Sequence, residues 1–224
     1  MSVLQVHGFS HVPLKIHTLV FDKTHPKPLL LLGFQFIQQA LNIEELARLA
    51  AVAKDHGIPL ASHDDDSIGK LDLMRNWNVA ISEFPVELGV AIEAKQRGLA
   101  VVMGAPNVVL GKSHSNNVSA FEAISYGAVD ILCSDYYPPS MLQAVFFLYR
   151  SGISMVDAVN LVSLNPAKAL RLDDSLGSIE IGKTADLLKI REYRQIPAIQ
   201  EVYVEGNLVC QMSYQKLAME TIGK

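Results

Sequence analysis

NVAISEFPVELGVAIEAKQRGLAVVMGAP, residues 78–106, reads as a strand, a helix and a second strand. The runs NVAIS (78–82) and LAVVMGAP (99–106) are short and continuously apolar. Between them, VELGVAIEAKQRG (86–98) has helical spacing and stops on Gly98. Short apolar strands separated by helices imply a parallel sheet covered on both faces.

The same rhythm extends in both directions. Upstream, NIEELARLAAVAKDHG (42–57) is an amphipathic helix with Asn42 as N-cap and Gly57 as stop, and IPLAS (58–62) is a strand running into ASHDDDS (61–67). Downstream, NVSAFEAISYG (117–127) is helical and VDILCS (129–134) is a strand ending at Asp135. Two further helices follow at 139–152 and 154–164, the second opening on Ser154 with Asp157 three residues on. Each strand runs into polar or proline-rich residues: His63, Glu83, Pro106-Asn107 and Asp135. In α/β folds chemistry gathers at the carboxyl ends of parallel strands, so these residues are candidates for one site. Polar loops of a purely structural sheet would show part of the same pattern. Asp64, Asp65 and Asp66 read as N-cap and first-turn charge for the next helix, with one of them able to touch a metal.

From residue 176 the texture changes to short strands with glycine-containing turns. Glu205-Gly206-Asn207 is a hairpin connection between VYV and LVC. The expected organisation is a segment 1–42 of different character, a βα domain over 43–172 and a small β-subdomain over 173–224.

Composition narrows the function classes. With 19 Lys and Arg against 23 Asp and Glu, the formal charge is -4 and there is no basic run, which counts against nucleic acid as a partner. The longest aliphatic run, Leu29 to Leu32, is too short to cross a bilayer. Two distant cysteines, Cys133 and Cys210, make no disulfide framework, and the N-terminus has no signal-peptide pattern, so a cytoplasmic protein is expected.

The runs ASHDDDS, MGAPNVV, SHSNN, SDYYP and GSIEIGKTADLL together resemble the later half of an amidohydrolase-superfamily enzyme, from about residue 43 to about 212. The phosphonate-metabolism branch of the carbon–phosphorus lyase pathway, whose members release pyrophosphate from ribose 1-methylphosphonate 5-triphosphate, is the most similar. The resemblance implies a partial TIM-like (β/α) barrel carrying strands five to eight, a β-sandwich remnant, and one or two divalent metals, typically zinc. It implies His63 and Asp135 as metal ligands, with Asp135 also acting on the attacking water. Glu83 stands where many members place a histidine, and becomes a third ligand candidate. Lys112 and His114, with Asn107, lie in the loop after the third apolar run, placed for a phosphorylated small-molecule substrate.

The resemblance also implies a His-x-His pair in an earlier strand, which this chain lacks; His7 and His11 are four apart. At Asp22-Lys23-Thr24-His25-Pro26, Lys23 falls where the branch places a histidine. Half a barrel leaves strand edges unpaired, so coverage by the N-terminal segment or a homodimer is expected. Three readings compete: the metal-dependent phosphonate-type hydrolase, a catalytically impaired half-barrel that dimerises, and a hydrolase of amide or cyclic amide C–N bonds.

Overall fold

The computed structural model describes residues 2–7, 16–20, 43–111 and 117–214. In chain order they form strands β1 (Ser2–His7) and β2 (Ile16–Val20), helix α1 (Ile43–Asp55), β3 (Leu60–His63), α2 (Ile68–Asn76), β4 (Val79–Glu83), α3 (Leu88–Gln96) and β5 (Ala100–Gly104). Then come α4 (Ala105–Leu110), α5 (Ala120–Ser125), β6 (Ile131–Cys133), α6 (Ser140–Arg150), α7 (Met155–Asn160) and α8 (Leu164–Ala169). Strands β7 (Leu187–Tyr193), β8 (Ile196–Val204) and β9 (Asn207–Gln211) close the described chain. Among the described residues no helix is long and apolar enough to cross a membrane.

The strands make two sheets, ordered β2-β1-β3-β4-β5-β6 and β7-β8-β9. From β3 to β6 every strand pairs in parallel with the next in sequence, and the order never reverses. Strand β1 lies parallel to the other side of β3 with His7 level with His63, and β2 runs antiparallel at the edge. Coverage of that edge by the N-terminal segment is therefore what the backbone shows. On the far side of β6, Leu132 N–H donates to the Leu161 carbonyl at 2.8 Å and Asn165 Nδ2 donates to the Asp130 carbonyl at 2.8 Å. The segment after α7 thus takes hydrogen bonds at the edge of β6 that a further strand would otherwise take.

The parallel strands are buried on both faces, but unequally. Toward the helices, Leu60, Val101, Met103 and Leu132 pack against Leu46 and Ala50 of α1, Leu71 and Met74 of α2, Val90 and Ala94 of α3, and Val145 and Leu148 of α6. The helical spacing of these residues is the apolar stripe that the sequence shows. The opposite face holds a smaller cluster, Ala61, Ile81, Val102 and Ile131, with Ala169 and Leu170 packed on it.

Two local features differ from the sequence reading. Strand β5 passes into α4 without a loop, with Pro106 in the helix's first turn, so Asn107 is helical rather than in a loop. And Ser67 is the N-cap of α2, its hydroxyl accepting from Lys70 N, while no acidic residue lies in that helix's first turn. Asn42, expected as the cap of α1, lies outside the described residues. The hairpin at 205–206 is as read: Glu205 (φ 51) and Gly206 (φ 79) both take the left-handed conformation that a tight two-residue turn requires.

Candidate functional site

The candidate site is built by three chain turns at one end of the parallel sheet. His63 and Glu83 end β3 and β4 directly opposite each other in register. The residue after each is left-handed, Asp64 at φ 55 and Phe84 at φ 54. Asp64 N–H donates to the Glu83 carbonyl and Phe84 N–H to the Val102 carbonyl, both at 2.9 Å, so each turn is tied to the neighbouring strand. Asp135, at φ 46, sits in a turn closed by Tyr137 N–H donating to the Ser134 carbonyl at 2.9 Å. An aspartate visits this conformation readily, whereas a phenylalanine there is a strained outlier. Such strain gathers where surrounding structure must aim side chains.

Burial raises the Glu83 carboxyl above its ordinary value; His63 opposes the rise, and Asp135 and Asp64 add to it. Glu83 therefore stands within reach of both His63 and Asp135. Gly104, between them on β5, leaves room: a methyl there would meet the Phe84 ring at 3.6 Å and Asp135 Oδ2 at 3.8 Å. Burial pushes the Cys133 thiol up to about 12, with the Glu83 charge adding to the shift and a backbone hydrogen bond at Asp135 opposing it. A thiol held so firmly in the protonated form is unreactive.

His63 is held on two sides. Its Nδ1 lies 2.9 Å from Asp64 Oδ2, and its ring meets Phe84 edge-on at 5.1 Å. The carboxylate beside Nδ1 and the Phe84 ring together fix the orientation of the imidazole.

Asp65 is the residue that the sequence reading missed. It is fully buried, not a surface charge on a helix start. Its Oδ2 accepts from Ser62 Oγ at 2.6 Å and from Ser82 Oγ at 2.5 Å, and its Oδ1 lies 3.3 Å from Lys70 Nζ. The signal was present: Ser62 and Ser82 are small polar residues inside apolar strands, each one position before a site residue. Facing away from His63 and Glu83, they need a buried polar partner.

The remaining candidates fall as follows. Asn107 lies on α4, where its Oδ1 accepts from Ala120 N at 3.1 Å and its Nδ2 donates to the Val118 carbonyl at 3.5 Å. Its amide thus fastens the start of α5 to α4. Lys112 and His114 lie outside the described residues. Imidazole and carboxylate are donors that a divalent ion takes, and His63, Glu83 and Asp135 stand at the same end of the sheet. Among the described residues, however, no group of three His, Cys, Asp or Glu side chains is arranged to hold an ion. The donor types fit a metal; their arrangement is an open set rather than a finished cage.

A parallel sheet with an imidazole and carboxylates at its carboxyl end is the site of a hydrolase-type α/β protein. The profile of the amidohydrolase family matches residues 36–213, and the chain belongs to that family. It is 40% identical over 164 residues to the alpha-D-ribose 1-methylphosphonate 5-triphosphate diphosphatase of Escherichia coli (strain K12), a match spanning 72% of this chain and 43% of that protein. It is 30% identical over 132 residues to the N-acetylglucosamine-6-phosphate deacetylase of Homo sapiens, spanning 57% of this chain and 32% of that protein. The chain thus spans less than half the length of these curated relatives. Among solved structures, an amidohydrolase from Thermotoga maritima MSB8 shares the fold with a TM-score of 0.57 at 18% identity, over 76% of this chain and 53% of that one. An adenosine deaminase from Xanthomonas campestris, solved with bound zinc, superposes with a TM-score of 0.54 at 16% identity, over 75% of this chain and 49% of that one.

Proposed function

We propose that this chain is the site-bearing half of a metal-dependent hydrolase that acts on a phosphorylated small molecule and releases pyrophosphate. Strands β3 to β6 then correspond to strands five to eight of a (β/α)8 barrel, whose uninterrupted parallel order they follow. The observation that supports the reading is that His63 and Glu83 end adjacent strands in register, with Asp135 Oδ2 3.8 Å from where a Cβ at Gly104 of β5 would stand.

His63, Glu83 and Asp135 would hold a divalent ion, zinc being the best match to imidazole with carboxylates. When bound, such an ion supplies a more acidic water and a positive charge beside the scissile phosphate. Asp135 takes the proton of the attacking water, whose oxygen bonds to phosphorus as the bond to the pyrophosphate group breaks. Burial around Glu83 keeps bulk water from the reacting face and strengthens each charge there. Lys112, His114 and Asn107 are the groups proposed to meet the phosphates, and the cytoplasm and a homodimer are the proposed setting.

A second reading is favoured by the open donor set: a half-barrel with impaired catalysis. The test is cobalt and zinc titration of the purified chain by calorimetry, beside His63→Ala, with pyrophosphate release from a ribose triphosphate and opening of a cyclic amide as activity assays. Metal binding that falls at least about tenfold in His63→Ala, together with pyrophosphate release, supports the proposal. Binding that ignores His63, or none at all, overturns it; turnover of the cyclic amide alone moves the substrate to C–N bonds.

A further inference from the structure

Behind the site lies a charge pair that the chemistry above does not use. Lys70 on α2 and Asp65 after β3 have side chains only 5% and 0% exposed. Nζ of Lys70 has three donors and three oxygens around it: the His63 carbonyl at 2.7 Å, the Asp64 carbonyl at 2.9 Å, and Asp65 Oδ1 at 3.3 Å. Asp65 in turn collects the hydroxyls of Ser62 on β3 and Ser82 on β4. Each serine precedes a site residue, so the carboxylate ties together the two strands that present His63 and Glu83.

We propose that the Asp65–Lys70 pair is a positioning device for His63. The ammonium draws two successive carbonyls, those of His63 and Asp64, toward one point, which fixes the peptide between them and the left-handed Asp64. That conformation places the Asp64 carboxylate 2.9 Å from His63 Nδ1, so the buried pair holds the turn that orients the ring. Stability alone does not explain the pair, because a matched apolar pair in the same space is commonly as stable or more so. Its geometry does more than neutralise: two of the lysine's donors are given to the backbone of the site turn, at 2.7 and 2.9 Å. The metal-binding consequence rests on the function proposed above; the positioning of the ring does not.

The experiment uses the whole chain and two readouts, the ¹⁵N signals of the His63 ring in metal-free protein and Co²⁺ affinity by calorimetry. The variant is Asp65→Leu with Lys70→Met, which removes both charges and leaves neither buried alone. We expect a cooperative melt, a change in the ¹⁵N signals of the His63 ring, and a Co²⁺ affinity about 10- to 100-fold weaker, the range for groups that orient a ligand. Asp65→Asn with Lys70→Gln, which drops both charges but keeps hydrogen-bonding groups, is the milder variant should the apolar one fail to fold. In either folded variant, unchanged ring signals and unchanged affinity overturn the proposal. Co²⁺ binding that is indifferent to His63→Ala sinks the metal reading instead, and the ring signals then decide the positioning role by themselves.

Discussion

Glu83 carries a conflict that the fold has not relieved. Its carboxylate is pressed into a partly closed strand end, and two other carboxylates add to the cost of charging it. A carboxyl raised above its ordinary 4.5 contributes stability that is complete below the unfolded value and is lost as pH rises through the folded value. In metal-free protein, Glu83→Gln therefore melts higher than the parent at pH 7, and the two melting curves converge as pH falls toward 4. Thermal scans across that range check it; a variant that melts lower at every pH contradicts the account. That His63 and Glu83 end strands and Asp135 follows one was legible in the sequence because each terminates an apolar run, a local signal. Asp65 was not, because the same acidic cluster suits a solvated helix start, and only the meeting of Ser62, Ser82 and Lys70 from three elements buries it.

Longer elements were legible and short ones were not, for a reason of length. Helix α6 repeats its apolar stripe over eleven residues, Ala144, Val145 and Leu148 all buried, and periodicity detects it. Helix α4 has six residues and makes a single turn and a half, too few for any period to show, so Asn107 looked like loop. At α7 the expected cap is present, with Ser154 Oγ accepting from Asp157 N at 3.1 Å and donating to Asp157 Oδ2 at 2.6 Å. The tightest joint between elements is at Gly177, whose φ of +91 suits glycine. A Cβ there would stand 2.7 Å from Ala167 Cβ and 3.0 Å from Leu164 Cα, both on α8. Gly177→Ala should lower stability by roughly 2–5 kcal/mol, adding backbone strain to an overpacked contact. The shift of the urea midpoint measures it, and a change below about 0.5 kcal/mol, the usual effect of a surface substitution, would mean that α8 moves freely.

At the scale of the molecule, the parallel order follows from the repeated strand–helix texture, whereas the N-terminal strands β1 and β2 could not be read from a segment without matching motifs. The asymmetry of the two sheet faces was equally hidden, because continuous apolar strands look alike whichever face is deeply covered. The thinly covered face, with Ala169 and Leu170 over Ile81, Val102 and Ile131, is the one that continues toward Cys133 and the site. Cys133 consequently reports on whether that face opens. With its thiol at about 12, only on the order of one molecule in 10⁴ carries the thiolate at pH 8, the reactive form. Cys210 is exposed on β9. A thiol reagent at pH 8 should therefore modify one equivalent promptly in native protein and the second only on unfolding. If the face opens locally without global unfolding, Cys133 labelling proceeds faster than the global unfolding rate and is insensitive to low urea. If the face is as firmly held as the helix-packed side, the second thiol reacts at the global rate, and Leu148→Ala, which should cost about 2–5 kcal/mol by emptying the other core, accelerates it in step.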